Sequence, residues 1–281
     1  MDGIIVIDKE AGVTSRDVVN DLAHIFHTKK VGHTGTLDPL ATGLLICTIG
    51  KYTKLNEILT STYKEYIAEF KLGIKTDTYD IEGTILEENN VDVTKDEIIK
   101  AIMSFKGKYM QEVPIYSSVK VNGKKLYEYA RGNKDVKLPK REVDIKELEI
   151  LSIEENFIKI KCKVSKGTYI RSLINDIGLK LKCGAIMTNL RRTKQGLFNI
   201  EDAYKIEDVR ENRYKFINVL DVIEYKKIEV DEYLYSKIKN GSILENRYNT
   251  DKIAFIKDNE LVAIYKEYDK DKSKIKPWKM L

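Results

Sequence analysis

The sequence predicts a mixed α/β sheet domain running to about residue 225, followed by a small C-terminal module. Three observations predict it. Runs of alternating apolar residues interleave with runs of helical spacing, the pattern of helices packed on a sheet. Two Thr-x-x-acid capping boxes mark helix starts between those runs. After Tyr225 the texture changes to short elements, enough for a satellite packed against the main domain.

Gly3–Lys9, built around Ile4, Ile5, Val6 and Ile7, reads as a short buried strand. Thr14 and Asp17 form the first capping box, ahead of Val18, Val19, Leu22, Ile25 and Phe26 at helical spacing. A loop is expected over residues 32–43, broken by Gly32, Gly35, Pro39 and Gly43, with a strand resuming over 44–49. Residues 65–73 alternate, so that Tyr66, Ala68, Phe70 and Leu72 share one face and Tyr66 points inward. Thr94 and Glu97 form the second box and start a helix through Phe105. From Phe157 the pattern alternates again, Ile158, Ile160, Cys162 and Val164 opposing Lys159, Lys161 and Lys163. A turn at Ser165-Lys166-Gly167 then leads into a helix carrying Leu173, Ile174, Ile177 and Leu181. In the tail, residues 231–239 read as a helix ending at Asn240-Gly241, and residues 252–266 as a hairpin turning at Asp258-Asn259.

Composition narrows the class of protein. Of 281 residues, 42% are hydrophobic and 33% charged, which fits an ordered soluble chain and argues against a long disordered region. The longest apolar runs are too short to span a bilayer, and Asp2 and Asp8 flank the first of them, unlike a secretory signal. The expected location is cytoplasmic. Cys47, Cys162 and Cys183 are isolated, with no CxxC pair to suggest a disulfide framework or a zinc ribbon. His24 and His27 form an HxxH without an acidic or Cys partner nearby, so they read as a helix-surface pair and no metal is expected. The net charge of +5, from 49 basic and 44 acidic residues, permits a polyanion-binding face without demanding one.

The most informative segment is Gly32-His33-Thr34-Gly35-Thr36-Leu37-Asp38-Pro39-Leu40-Ala41-Thr42-Gly43. A carboxylate held between Leu37 and Pro39, among small residues that let a substrate backbone approach, suits a nucleophile. Taken alone, Asp-Pro in a glycine-rich loop is usually just a turn. The string resembles the signature of the TruB family, bacterial tRNA pseudouridine synthases acting on uridine 55. The likeness continues through Gly3-Ile4-Ile5-Val6-Ile7-Asp8-Lys9, Gly12-Val13-Thr14-Ser15, Lys64-Glu65-Tyr66 and Thr76-Asp77-Thr78-Tyr79-Asp80. It extends to Pro114-Ile115-Tyr116-Ser117 with Lys120-Val121-Asn122-Gly123, then Gly167-Thr168-Tyr169-Ile170-Arg171-Ser172 and Leu190-Arg191-Arg192. Two departures are visible: Glu10 where the family usually has Pro, and Ser118 where it usually has Ala. They bear on local backbone shape.

The resemblance implies a central mixed, mostly antiparallel sheet flanked by helices, with a catalytic domain over 1–225 and a reduced PUA-like RNA-binding module over 226–281. It implies an isomerisation without cofactor or metal, in which uridine is flipped out, its glycosidic bond broken, and the base rejoined through carbon 5. Asp38 is then the catalytic carboxylate, attacking the ribose C1′ or assisting loss of the base along a glycal-type path. Arg171 matches the arginine that pairs with it, and Tyr66 the residue that stacks on the target base. Tyr169 and Leu190 complete the pocket wall. His33 matches a histidine that helps take over the place the uridine leaves, and Lys9 a lysine supporting the site loops; both are grouped with the substrate-binding residues. A thumb over about 106–142, with Lys120, Lys124, Lys125, Arg131 and Arg141 interleaved with Tyr127 and Tyr129, suits an RNA clamp. The partner implied is the T arm of tRNA, bound by a monomer.

The sequence leaves three rivals open. A non-catalytic RNA chaperone would not require Asp38, Tyr66 and Arg171 together. A guide-RNA-dependent synthase of the dyskerin type normally carries a larger C-terminal domain. A glycosidase needs two carboxylates; Asp77 and Asp80 are available, but Thr-Asp-Thr near Gly83 reads better as a turn.

Overall fold

The computed structural model describes residues 1–60, 63–132 and 134–281. The chain runs β1 (Gly3–Lys9), α1 (Ser15–Ile25), β2 (Val31–Thr34), β3 (Thr42–Ile49), α2 (Asn56–Thr60) and β4 (Lys64–Leu72). Then follow β5 (Ile74–Thr76), β6 (Ile85–Glu88), α3 (Lys95–Met103), β7 (Gly107–Glu112), β8 (Lys120–Val121), β9 (Lys124–Lys125) and α4 (Leu126–Arg131). The rest of the main domain holds β10 (Lys140–Glu154), β11 (Phe157–Val164), α5 (Ile170–Lys180), β12 (Ala185–Gln195), β13 (Phe198–Asn199), α6 (Ile206–Arg210) and α7 (Val219–Val222). The tail forms β14 (Lys226–Glu229), α8 (Glu232–Lys239), β15 (Leu244–Glu245), β16 (Lys252–Lys257), β17 (Glu260–Tyr268) and β18 (Asp271–Met280).

A nine-stranded sheet carries the main domain in the order β1-β3-β12-β4-β11-β10-β7, with β2 on β3 and β13 on β12. Its ladders are antiparallel except where β12 meets β3, a parallel contact of two rungs, Arg191 with Thr42 and Arg192 with Gly43. Only glycine fits there: Gly43 has φ +100, and a Cβ on it would lie 2.3 Å from the Arg192 carbonyl oxygen. The sheet is therefore mixed and mostly antiparallel, as the resemblance implied.

Both capping boxes form. Thr14 accepts from the Asp17 amide and Thr94 from the Glu97 amide, each with the reciprocal bond from the acid. The alternation of β4 is fully realised, every second residue from Lys64 to Leu72 being buried. Its inward face joins that of β11 and the apolar sides of α3 and α5 in one core. β1 and β3 are covered on both faces. Ile4, Val6, Leu44 and Ile46 pack towards Ala254, Leu261 and Ile264 of the tail, while Ile5, Ile7, Leu45 and Cys47 pack against α1. Burying each such side chain contributes about 1.5–3 kcal/mol, so the tail is fastened to the sheet by its own core residues.

Three differences from the sequence reading have physical causes. The loop expected over 32–43 is shorter, because Val31–Thr34 pairs with Ile46–Ile49 as β2; Gly32 is accommodated since the Asn56 side chain occupies the space a Cβ would need. The thumb expected over 106–142 begins and ends in paired sheet strands, Lys140 opposite Glu112 and Ile145 opposite Gly107, so the excursion proper spans 113–139. The tail hairpin belongs to a five-stranded sheet, β14-β16-β17-β18-β15, whose lysine-rich β18 has no clear alternation to announce it. Among the described residues no helix is long and apolar enough to cross a membrane.

Candidate active site

The loop between β2 and β3 is fixed from below by backbone contacts on either side of Asp38. Ser15, buried at the start of α1, donates to the Leu37 carbonyl at 3.1 Å and accepts from the Leu37 amide at 2.9 Å. On the other side the Pro39 carbonyl accepts from the Gly12 amide at 2.9 Å and from the Lys9 ammonium at 3.2 Å. Leu37 and Ala41 are buried as anchors. The Asp38 side chain is left 37% exposed at the wall of a cleft of about 820 Å³.

Lys9 turns away from that cleft. It is 1% exposed, and its ammonium also donates to the carbonyls of Glu10 at 2.8 Å and Val13 at 2.7 Å. Burial pushes its pKa down to about 8, yet three carbonyls and the nearby Asp38 charge favour the cation. Its hydrogen bonds go to loop carbonyls, and it is not among the residues lining the cleft. Lys9→Met is expected to cost about 1–3 kcal/mol of stability, because carbonyls facing Lys9 lose their donor. Urea unfolding of the variant would show it, and an unchanged midpoint would remove the latch.

Arg171 is the second residue of α5 and is 5% exposed. Its guanidinium meets both oxygens of Asp38, Nε 2.9 Å from Oδ2 and Nη2 donating to Oδ1 at 3.3 Å. The same fork donates to the carbonyls of Thr78 at 2.9 Å and Tyr116 at 3.0 Å, and lies 3.5 Å from Asp80 Oδ2. The sequence places Asp80 in a turn. It is indeed in a loop, where its Oδ1 accepts from the Thr78 hydroxyl at 2.5 Å and the Glu82 amide at 3.1 Å, but it is also 4% exposed and a second carboxylate on the arginine. With its oxygens engaged in this way, it anchors the guanidinium and is ill suited to be a free acid or base.

Tyr66 is 7% exposed and lines the same cleft, its hydroxyl against the Arg192 guanidinium. Burial raises its pKa above the ordinary tyrosine value, opposed in part by Arg192, so at neutral pH it is an uncharged phenol. Arg192 is fully buried, with Nε donating to the Leu44 carbonyl at 2.7 Å and Nη2 to that of Gly35 at 3.0 Å. It therefore ties the middle of the sheet to the Asp38 loop. Beside it Lys64, also in the cleft wall, is brought down to about 8 by burial and then by the Arg192 charge. Both residues lie in motifs that carry the resemblance, Lys64-Glu65-Tyr66 and Leu190-Arg191-Arg192, but the sequence gives neither a role of its own, because a buried cation at a strand position cannot be told there from an exposed one.

The cleft thus brings together Asp38, Tyr66, Arg171, Tyr169, Leu190 and Arg131 from distant parts of the chain. His33 stands outside its walls on β2; burial, then the Arg192 and Arg16 charges, lower its pKa, and its buried Nδ1 has no hydrogen-bond partner among the described residues. Arg141 stacks over the Tyr169 ring at 5.8 Å. On the thumb, Lys125 and Arg131 flank the Tyr127 ring at 5.3 and 5.4 Å, with Lys120 and Lys124 exposed. Among the described residues no cluster of three His, Cys, Asp or Glu side chains converges as a metal-ligand set.

Comparison with known proteins gives a consistent picture. The sequence profile of the TruB family pseudouridylate synthase N-terminal domain matches residues 23–170, and that of the tRNA pseudouridylate synthase B C-terminal domain matches 171–224. The tRNA pseudouridine synthase B of Clostridium acetobutylicum is 46% identical over 268 residues, 94% of this chain and 92% of its own. That of Lactobacillus acidophilus is 41% identical, covering 96% of each chain. Among solved structures, a chain of an H/ACA RNP bound to a substrate RNA containing 2′-deoxyuridine superimposes with TM-score 0.70 at 26% identity, covering 99% of this chain and 84% of that one. A chain of a Cbf5-Nop10-Gar1 complex does so with TM-score 0.69 at 28% identity, covering 94% and 78%.

Proposed function

The chain belongs to the TruB family of pseudouridylate synthases and forms pseudouridine in tRNA; from that premise we propose that its target is uridine 55 of the T loop and that Asp38 is the catalytic carboxylate. The observation that carries the reading is the ion pair of Arg171 with Asp38 at the wall of the cleft, with Nε 2.9 Å from Oδ2 and Nη2 donating to Oδ1 at 3.3 Å. The reaction breaks the C1′–N1 bond and forms a C1′–C5 bond. The hydrogen on C5 leaves as a proton and N1 gains one, so no electrons are exchanged with a cofactor. A rigidly aimed anion beside C1′ suits either attack on that carbon or assistance to the departing base, and both courses give the same product.

Tyr66 supplies the face on which the extruded uracil stacks. Stacking is worth roughly 1–3 kcal/mol per base, comparable to the few kcal/mol needed to flip a nucleotide, so one aromatic wall holds much of the flipped state. As a neutral phenol it acts as a hydrogen-bond donor, not as a phenolate base. Leu190 and Tyr169 close the remaining sides of the pocket. The thumb charges and the module over 226–281 grip the T arm, and the protein works as a cytoplasmic monomer without a guide RNA. High coverage of curated tRNA-modifying relatives supports that last point over a guide-dependent assembly.

The deciding experiment uses tRNA transcript labelled with tritium at carbon 5 of uridine. Release of label by wild type, lost when uridine 55 is replaced, is the expected result. Tight tRNA binding without release would instead favour an RNA chaperone. For the thumb, a double Lys124→Ala and Lys125→Ala variant is expected to weaken binding and to flatten its salt dependence by a log–log slope of about 1–2, roughly one for each phosphate left without its cation. An unchanged slope in a salt titration would remove both lysines from the phosphate-contacting set.

A further inference from the structure

Gln111 lies near the end of β7, two residues before the chain leaves the sheet for the thumb, and is fully buried. Its carboxamide pairs with the backbone of Tyr169 in both directions. Oε1 accepts from the Tyr169 amide at 2.8 Å, and Nε2 donates to the Tyr169 carbonyl at 3.0 Å. Only this amide orientation matches donor to acceptor at both contacts. The same Nε2 donates to the Tyr109 hydroxyl at 2.6 Å, and that hydroxyl shares a hydrogen bond with the half-buried Asp176 of α5. Both hydrogens of the amide are thereby occupied.

Helix α5 begins at the residue after Tyr169, and Tyr169 offers no side-chain cap to its first turn. Gln111 instead holds the Tyr169 amide and carbonyl, the peptide groups on which the helix starts. The neighbouring Glu112 carbonyl accepts from the Ser172 hydroxyl at 2.9 Å. The end of β7 therefore holds the chain on both sides of Arg171, through Tyr169 before it and Ser172 after it.

We propose that Gln111 is a positioning residue for pseudouridine formation, setting the start of α5 so that the Arg171 guanidinium meets Asp38. The proposal rests on the assignment of Asp38 and Arg171 as the reacting pair. Gln111 touches neither substrate nor Asp38; it acts through the backbone. Gln111→Met keeps the length of the side chain and removes every hydrogen bond it makes, freeing the helix start to drift. A displacement of about 1 Å in a catalytic group costs on the order of 100-fold in rate, so single-turnover pseudouridine formation is expected to fall about 10- to 100-fold with tRNA affinity unchanged. Tyr109→Phe leaves the amide pairing but removes the hydroxyl that orients it, and is expected to show a smaller loss of the same kind.

The test measures single-turnover rate, tRNA affinity and melting temperature for wild type, Gln111→Met, Tyr109→Phe and Asp38→Asn, with rates taken well below every melting transition. A graded loss of rate at constant affinity supports the proposal. A lowered melting temperature with the wild-type rate means a purely structural role and overturns it, provided Asp38→Asn is inactive in the same assay. An active Asp38→Asn overturns the underlying assignment instead. Should Gln111→Met fail to fold, Tyr109→Phe decides alone: a reduced rate supports the proposal, and the wild-type rate rejects it.

Discussion

Asp38→Asn is expected to lower pseudouridine formation by on the order of 10⁴-fold or more, the scale seen when a member of a cooperating catalytic set is deleted, while tRNA binding stays near wild type. The substitution keeps the shape of the side chain and removes its charge. Binding should survive because the loop does not depend on the carboxylate for its path. Leu37 is held by Ser15, and Pro39 by Gly12 and Lys9, all through backbone atoms of the loop. The measurement is single-turnover conversion alongside a binding titration. Near-normal conversion would sink the assignment of Asp38.

The second large effect concerns Arg171, where charge and shape separate cleanly. Its planar fork reaches two carboxylates and two carbonyls at once, which the compact ammonium of lysine cannot reproduce. Arg171→Lys is therefore expected to lose at least about 100-fold in rate, the scale of a misplaced catalytic group, despite keeping the positive charge. Arg171→Met removes the charge as well and leaves Asp80, with only 6% of its side chain exposed, without its cation. Removing one partner of a buried pair costs about 3–5 kcal/mol. Denaturant midpoints of the two variants would separate the effects, and a lysine variant with wild-type rate would contradict the geometric argument.

How much of this is legible in the sequence depends on whether burial and polarity agree. In β1, β4 and β11 the buried positions are almost all apolar, so alternation and β-branching announce them. In β12 they disagree. Its interior carries Arg192, and the strand slips register between Met187 and Asn189 and again between Arg192 and Lys194, so no two-residue period survives. β10 is broken in the same way, with shifts between Ile145 and Glu147 and between Ile150 and Ser152. At the site, Asp38, Tyr66 and Arg171 are marked by motifs whose order is specific. Asp80 lies in the motif Thr76-Asp77-Thr78-Tyr79-Asp80 without a sign of its burial, and Gln111 lies in no motif, since a buried polar residue is indistinguishable in sequence from a surface one until its partners are known. Those partners are far along the chain: Arg171 for Asp80 and Tyr169 for Gln111.

The place of β12 in the sheet has a consequence for how the protein is made. The strand at the middle of the sheet is among the last of its strands to be synthesised, since β1 to β11 all precede residue 185. At a translation rate of about 5–20 residues per second, β4 waits roughly 6–25 s for β12 on the ribosome, with both edges unpaired until β11 is made and one edge unpaired thereafter. Such an edge is a template for pairing with another nascent chain. β12 also brings Arg192, which draws the Asp38 loop to the centre of the sheet through Gly35. Vectorial synthesis thus withholds a completed cleft from any chain stalled before that strand, and an abortive fragment has no assembled cleft with which to compete for tRNA.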